Sequence, residues 1–300
     1  MLQVLANGLA LAAAYALVAL GFVLVANAAN AVNFAQGDLV MAGGFVAVAL
    51  GRLWPVPGIV LLPAVLAVMA VLGLALSAIA YFPLRGRPAT AIFVSTIAFG
   101  LMLENGANAI FGAEPHAGPP LLPGPAIALG PVSLSRQAIA VIVTAAVLIL
   151  ALEFLFARSR LGWRLRATAQ DRDMAASIGI NVTWMIALSF ALGAALAGAA
   201  GLLLANSFFV TPTDGINYML KAYIAVVIGG WGSIRGAVAG ALLIALFEVV
   251  YPSLPLLVPV LPASWIFTET TATIVLYIVV LAVLMLRPRG LFGEAVLRRA

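Results

Sequence analysis

Apolar residues along this chain gather into long blocks instead of alternating with polar ones. The blocks run roughly over 5–27, 37–51, 59–82, 89–111, 138–157, 184–206, 219–231, 236–250 and 268–286. About 20 apolar residues carry a helix across the roughly 30 Å of bilayer hydrocarbon, where backbone polar groups must be satisfied internally. The pattern predicts an all-α polytopic membrane protein, one transmembrane domain over 1–300 with about 8–9 membrane segments. The blocks at 37–51, 219–231 and 236–250 are too short to cross unaided, and each adjoins a Gly-rich or polar break. They are expected to be short, broken helices.

The most polar stretch, RSRLGWRLRATAQDRDMAASIGI, separates two long blocks and carries Arg158, Arg160, Arg164, Arg166, Asp171, Arg172 and Asp173. Five arginines in a short loop mark the cytoplasmic side, because Lys and Arg concentrate in cytoplasmic loops. Wound as one helix, Leu165, Ala169, Ala176 and Ile180 fall within about 60° of one another, a narrow apolar stripe on a charged rod. Such a rod is either a solvated loop that sets topology or a docking helix for a cytoplasmic partner. With loop 158–183 inside, Arg85, Arg87 and Arg235 fall inside as well, as do Arg287, Arg289, Arg298 and Arg299 of the tail. The N-terminus then lies outside, and the Pro-rich connection 112–137 forms an irregular extracytoplasmic lid.

Composition narrows the class further. The chain is 65% hydrophobic, with only 8% Asp, Glu, Lys and Arg, which is too apolar for a soluble core of 300 residues. Net charge is +5, but the arginines sit in short loops and the tail, where they orient the chain against the anionic inner leaflet. No basic patch interleaved with aromatics suggests nucleic acid. Cysteine is absent, which excludes disulfides and thiolate chemistry. His116 stands alone without metal-ligand spacing. Lys221 lies between Leu220 and Ala222, not in the Gly-Lys-Ser/Thr context of a P-loop, so any ATP hydrolysis belongs to another chain. No nucleophile–base arrangement is readable, and neither an enzyme nor a cofactor site is expected. No Lys or Arg precedes Arg52, so the first block reads as a retained span, not a cleaved leader.

Within the apolar blocks, small residues recur at every fourth place in Gly193-Ala197-Gly201 and Gly232-Gly236-Gly240. Such ridges let helix backbones approach closely in lipid, so these are assigned to packing. Gln36–Phe45 and Trp231–Gly240 look alike, each a polar Gly-containing break feeding a small-residue run. That is either internal repetition, common in transporters, or chance similarity of Gly-rich breaks. Asn27, Asn30, Asn33 and Gln36 form an amide cluster suited to lining a polar path or to bridging broken helices. Charges at membrane depth are costly and usually face a cavity or a partner, which singles out Asp38, Glu104, Lys221, Glu248 and Glu269. Asn33, Gln36, Asp38, Lys221 and Glu248 are the candidate translocation-pathway residues.

Four collinear blocks carry a resemblance. NFAQGDLVMAGGFVA (Asn33 to Ala47), SRLGWRLRATAQDRDMAASIGIN (Ser159 to Asn181), LKAYIAVVIGGWGSIRGAVAG (Leu220 to Gly240, with Glu248 following) and RPRGLFG (Arg287 to Gly293) resemble the Liv-type permeases of branched-chain amino acid ABC importers. The resemblance implies a type II ABC importer-like permease, LivH-like, multi-pass in the bacterial inner membrane. It also implies a second, LivM-like permease, two cytoplasmic ATPase subunits that bind the ATP, and a periplasmic solute-binding protein. It makes 159–181 the coupling loop to the ATPase, carried by Gly162, Arg166, Ala167, Asp171, Arg172, Ala175, Gly179, Ile180 and Asn181. Closure of the ATPases would push on this loop as a lever and rock packed helices about a central pathway. Gln36 stands where the family usually has histidine, so the solute need not be a branched-chain amino acid; urea and short amides are the alternatives, because related permeases serve them. An ion-coupled secondary carrier with Glu248 as its ion site is the rival from another class.

Overall fold

The computed structural model describes residues 2–129, 132–257, 266–287 and 290–291. Arg289, Arg298, Arg299 and Gly293, invoked above for the tail, lie outside the described residues. All nine apolar blocks are helical: α1 (Leu2–Ala29), α2 (Gln36–Leu53), α3 (Gly58–Leu76), α4 (Ala89–Phe111), α5 (Arg136–Arg158), α8 (Val182–Phe208), α9 (Gly215–Gly229), α10 (Ile234–Leu257) and α11 (Glu269–Leu286). Two short helices, α6 (Arg160–Gln170) and α7 (Arg172–Ser177), fill the arginine-rich loop. α3 runs on through a π turn over Ser77–Tyr81 and a 3-10 turn over Phe82–Leu84, so 58–84 is one apolar rod of 27 residues. Among the described residues seven helices are long and apolar enough to span, and α9 is a shorter apolar helix of 15 residues. The block at 236–250 is not short: α10 has 24 residues and continues past Glu248 to Leu257.

α1 and α8 form the centre. Both are apolar on every side, which in a bundle means enclosure by other helices, and both are buried over most of their length. α3 packs along α8 as α10 packs along α1. Small residues bring the axes together: Gly193 of α8 lies against Gly21 of α1, Gly201 against the Val40–Gly44 backbone of α2, and Gly43 against Gly198. Ala197, the middle of that ridge, is fully enclosed. Gly236 and Gly240 sit against Gly229 and Ala225 of α9. Gly232 precedes α10 and takes φ +85°, so it serves the turn and not the ridge.

Depth is readable from these contacts. Gln36, first residue of α2, donates from Nε2 to the Gly193 carbonyl at 3.2 Å, halfway along α8. The Asp38 carboxylate fills the space beside Gly100, halfway along α4, and beside Gly215, first residue of α9. α2 and α9 therefore both begin near mid-depth and run to opposite ends, each after a non-helical segment that turns back from a long helix, 30–35 after α1 and 209–214 after α8. This pairs 30–53 with 209–229 as the two halves of an inverted arrangement. The likeness of Gln36–Phe45 to Trp231–Gly240 is therefore local only, since 230–233 is a turn between α9 and α10 at the bundle's end.

Irregular backbone at this depth persists only when enclosed and hydrogen-bonded. Phe34 N donates to Thr96 Oγ1 at 3.2 Å, Ala35 N to Asn33 Oδ1 at 3.2 Å, and Tyr81 Oη to the Ala29 carbonyl at 3.1 Å. Asn30 supplies the left-handed turn, at φ 45°. Asn27 Nδ2 donates to the Gly232 carbonyl at 3.0 Å.

At one end lie Arg85, which donates to Thr183 at the start of α8, Arg172, which donates to the Ala28 carbonyl, and Arg235, 3.8 Å from Glu153 near the end of α5. Leu291 N donates to the Ile228 carbonyl and brings the chain after α11 to this end too. Arg52 and Arg136 lie at the opposite end, where the Pro-rich loop laces the helices together: His116 pairs antiparallel with Val210, and Gly58 N donates to the Pro120 carbonyl. That loop is less irregular than expected, for Ile127–Leu129 and Val132–Leu134 form a small antiparallel pair.

Candidate functional site

Two places concentrate polar chemistry. The first is the arginine-rich end, where the chain is shaped by caps. Ser159 accepts from Gly162 N at 2.9 Å and starts α6, and Gly162 packs so closely on the Leu155–Phe156 backbone of α5 that a Cβ would collide. Asp171 is extended, at φ −153° and ψ 112°, and its carboxylate accepts from Met174 N at 2.9 Å to start α7. At the far end Gly179, at φ 84°, donates to the Ala176 carbonyl and Ile180 to that of Ala175, the paired bonds of a Schellman motif. Asn181 accepts from Trp184 N at 3.0 Å and starts α8.

The single charged rod therefore does not form: Asp171 breaks it, and the proposed stripe scatters. Leu165 is buried, Ile180 half-buried, and Ala169 and Ala176 exposed. Of the residues the resemblance singled out, Gly162, Asp171, Gly179 and Asn181 set the path, while Ala167 and Ala175 pack inward. Arg172 donates to the Ala28 carbonyl at the C-terminus of α1 at 2.8 Å, where a cation is favoured. Arg166 is exposed and lines a cavity of about 620 Å³ between α1, α6 and the α9–α10 turn, together with Gln170 and Arg235. The outward apolar groups are others: Met174 is 63% and Ile178 67% exposed, and Trp163 and Trp184 are exposed as well. Sequence reasoning passed over Met174 and Ile178, although two large apolar residues four apart in a charged loop are a usable signal.

Removal of the Asp171 cap is expected to loosen α7 alone. Asp171→Ala should cost about 1 kcal/mol and speed amide hydrogen exchange at Met174–Ser177, with α8 unchanged. Unaltered exchange there would sink the cap's role.

The second place is at mid-depth. Lys221 of α9, Glu248 of α10 and Tyr15 of α1 converge: Lys221 Nζ donates to Glu248 Oε1 at 2.5 Å and to Tyr15 Oη at 2.7 Å, and Tyr15 Oη donates to Glu248 Oε2 at 3.0 Å. The lysine and glutamate side chains keep 23% and 21% of their surface. They face a cavity of about 710 Å³ that reaches towards the end opposite the arginines, past Phe208, Asp214, Ser253 and Glu269. A paired charge of each sign offers recognition groups where lone charges would be too costly to bury.

The other pathway candidates do not join this cavity. Asn33 and Gln36 are 2% and 0% exposed, and Asn33 Nδ2 donates to Gln36 Oε1 at 3.4 Å. Those two amides bridge the break before α2. Asp38 is half-buried between α4 and α9.

Membrane-length helices around two half-length helices that begin at mid-depth, with a cavity reaching that depth and a structured loop at one end, have the build of a membrane permease. The chain belongs to the family described as branched-chain amino acid transport system / permease component, whose model matches residues 4–286. It is 32% identical over 306 residues to BraD of Pseudomonas aeruginosa, a high-affinity branched-chain amino acid transport system permease protein, covering 98% of this chain and 96% of that one. It is 31% identical over 307 residues to LivH of Escherichia coli, which carries the same description, with the same coverage. Among solved structures, PsaBC from Streptococcus pneumoniae in complex with Fab aligns over 92% of this chain and 90% of that one at 14% identity and a TM-score of 0.48, a likeness that adds no argument. As a permease component, the chain is a transport subunit of a multi-subunit ABC system.

Proposed function

We propose that this chain is one half of the translocation pathway of an importer in the bacterial inner membrane that takes up branched-chain or other small aliphatic amino acids. It pairs with a homologous LivM-like permease, two cytoplasmic ATPase subunits that bind and hydrolyse the ATP, and a periplasmic solute-binding protein that delivers the solute. The arginine-rich end is cytoplasmic by the Lys/Arg bias of inner loops. One observation carries the reading: α6 and α7 form a capped platform at that end, from which Met174 and Ile178 project, uncovered by any of the described residues. An exposed apolar pair rimmed by charge fits a protein partner.

The platform is joined to α1 through Arg172 and runs directly into α8 through Asn181, so a push on it acts on the two central helices. Close glycine contacts let those helices move as packed units. Met174→Asp with Ile178→Asp is expected to leave insertion intact, remove the ATPase from the purified complex and lower uptake by about tenfold or more, as loss of an interface anchor does. Full uptake with the ATPase retained would refute the docking role. Gradient-driven uptake by the chain alone in liposomes would favour a self-contained carrier instead.

A further inference from the structure

The cavity over Lys221 and Glu248 is distinct from the docking platform, and its chemistry is uneven. Among the described residues its lining contains one basic residue, Lys221, against three acidic ones, Glu248 at the floor with Asp214 and Glu269 towards the mouth. Apolar wall comes from Leu11, Leu204 and Ile274 among others. Resting on the importer reading above, we propose that Lys221 and Glu248 form a head-group exchange site for a neutral, zwitterionic α-amino acid with an aliphatic side chain. The solute's carboxylate replaces Glu248 on Lys221 Nζ, and its ammonium replaces Lys221 on the Glu248 carboxylate.

Charge balance carries the inference. An isolated charge at mid-depth is expensive, so a solute with a single charge would leave either the lysine or the glutamate unpaired. A zwitterion leaves neither, because each protein charge always faces an opposite one while the partners change. Tyr15 holds both ends of the pair, accepting from Lys221 and donating to Glu248, and so keeps the two groups in register as they part. The excess of carboxylates opposes a second acidic group on the solute, which excludes dicarboxylic amino acids. A volume of about 710 Å³ falls within the roughly 300–1,000 Å³ of small-molecule sites, with aliphatic wall beside the charged floor.

The test uses the complete importer in proteoliposomes, with L-leucine as probe. Lys221→Met with Glu248→Met removes both charges and keeps the volume, an exchange that buried ion pairs usually tolerate. The double variant should still assemble into the complete importer and elute as the wild-type complex does, while leucine uptake falls about twentyfold or more. Uptake at the wild-type level would overturn the exchange site and leave the importer reading standing. Wild-type uptake that needs no ATP would overturn the importer reading itself.

A second measurement does not depend on that variant. The natural chain has no cysteine, so Ser253→Cys places a single thiol on the cavity wall. Its modification by a methanethiosulfonate, followed as a mass shift of this chain in the complex without binding protein, should slow about fivefold or more in millimolar leucine and not in millimolar glutamate. Equal rates with and without leucine, or equal protection by glutamate, would overturn the site.

Discussion

Gly201→Leu is expected to abolish accumulation of the folded permease. A Cβ at Gly201 would run into the backbone of Val40, Gly43 and Gly44 in α2, and nearby Gly43 meets Gly198 in the same way. The obstacle is main chain, which cannot rotate aside, so α2 would have to leave α8. In lipid, helices associate through such contacts because the surrounding tails are as apolar as the side chains. Overpacking a close-packed core costs about 1–3 kcal/mol and more where backbone must shift, and the upper end applies to leucine here. The matched control is Gly106→Leu on α4, where a Cβ meets nothing within 4 Å. Size-exclusion of detergent extracts should give a monodisperse peak for the control and none for Gly201→Leu. Equal peaks would mean that the α2–α8 contact does not hold the bundle together.

The membrane helices were legible because hydropathy over some 20 residues is decided by the solvent, and each of the nine apolar blocks is a helix. α10 was underestimated because the apolar run gives way to Pro252 and Ser253 after Val250, yet the helix continues through Pro252 and Pro255 to Leu257. The inverted arrangement was hidden for a different reason. It relates the backbone path of 30–53 to that of 209–229, while local glycine content pointed to Trp231–Gly240, which is the turn at 231–233 and the first residues of α10. At the docking platform, the residues that matched a family pattern proved to be largely caps and corners, Gly162, Asp171, Gly179 and Asn181, whose roles depend on backbone angles that a motif does not spell out. The mid-depth charges were recognisable one by one, but nothing in the spacing of Tyr15, Lys221 and Glu248 announces that three helices bring them together. That convergence separates Lys221 and Glu248 from Asn33 and Gln36, which look equally polar in sequence and turn out to brace a chain break.

Glu248→Leu should destabilise the permease far more than the removal of both charges together. It leaves the Lys221 ammonium at mid-depth with the Tyr15 hydroxyl as its one remaining partner among the described residues. Stranding one member of a fully buried pair costs about 3–5 kcal/mol. Here the cost should be about 2–3 kcal/mol, because a fifth of each side chain faces the cavity and part of the stranded charge can be hydrated. Adding Lys221→Met removes the stranded charge, so the double variant should recover most of the lost thermal stability although it retains fewer hydrogen bonds than the single one. The two single variants and the double form a cycle whose interaction term isolates the pair. A double variant no more stable than Glu248→Leu would show that Lys221 is content without its glutamate. The pair would then not be held together by the cost of a lone charge, and its persistence would need another cause, such as a fixed path for α9 against α10.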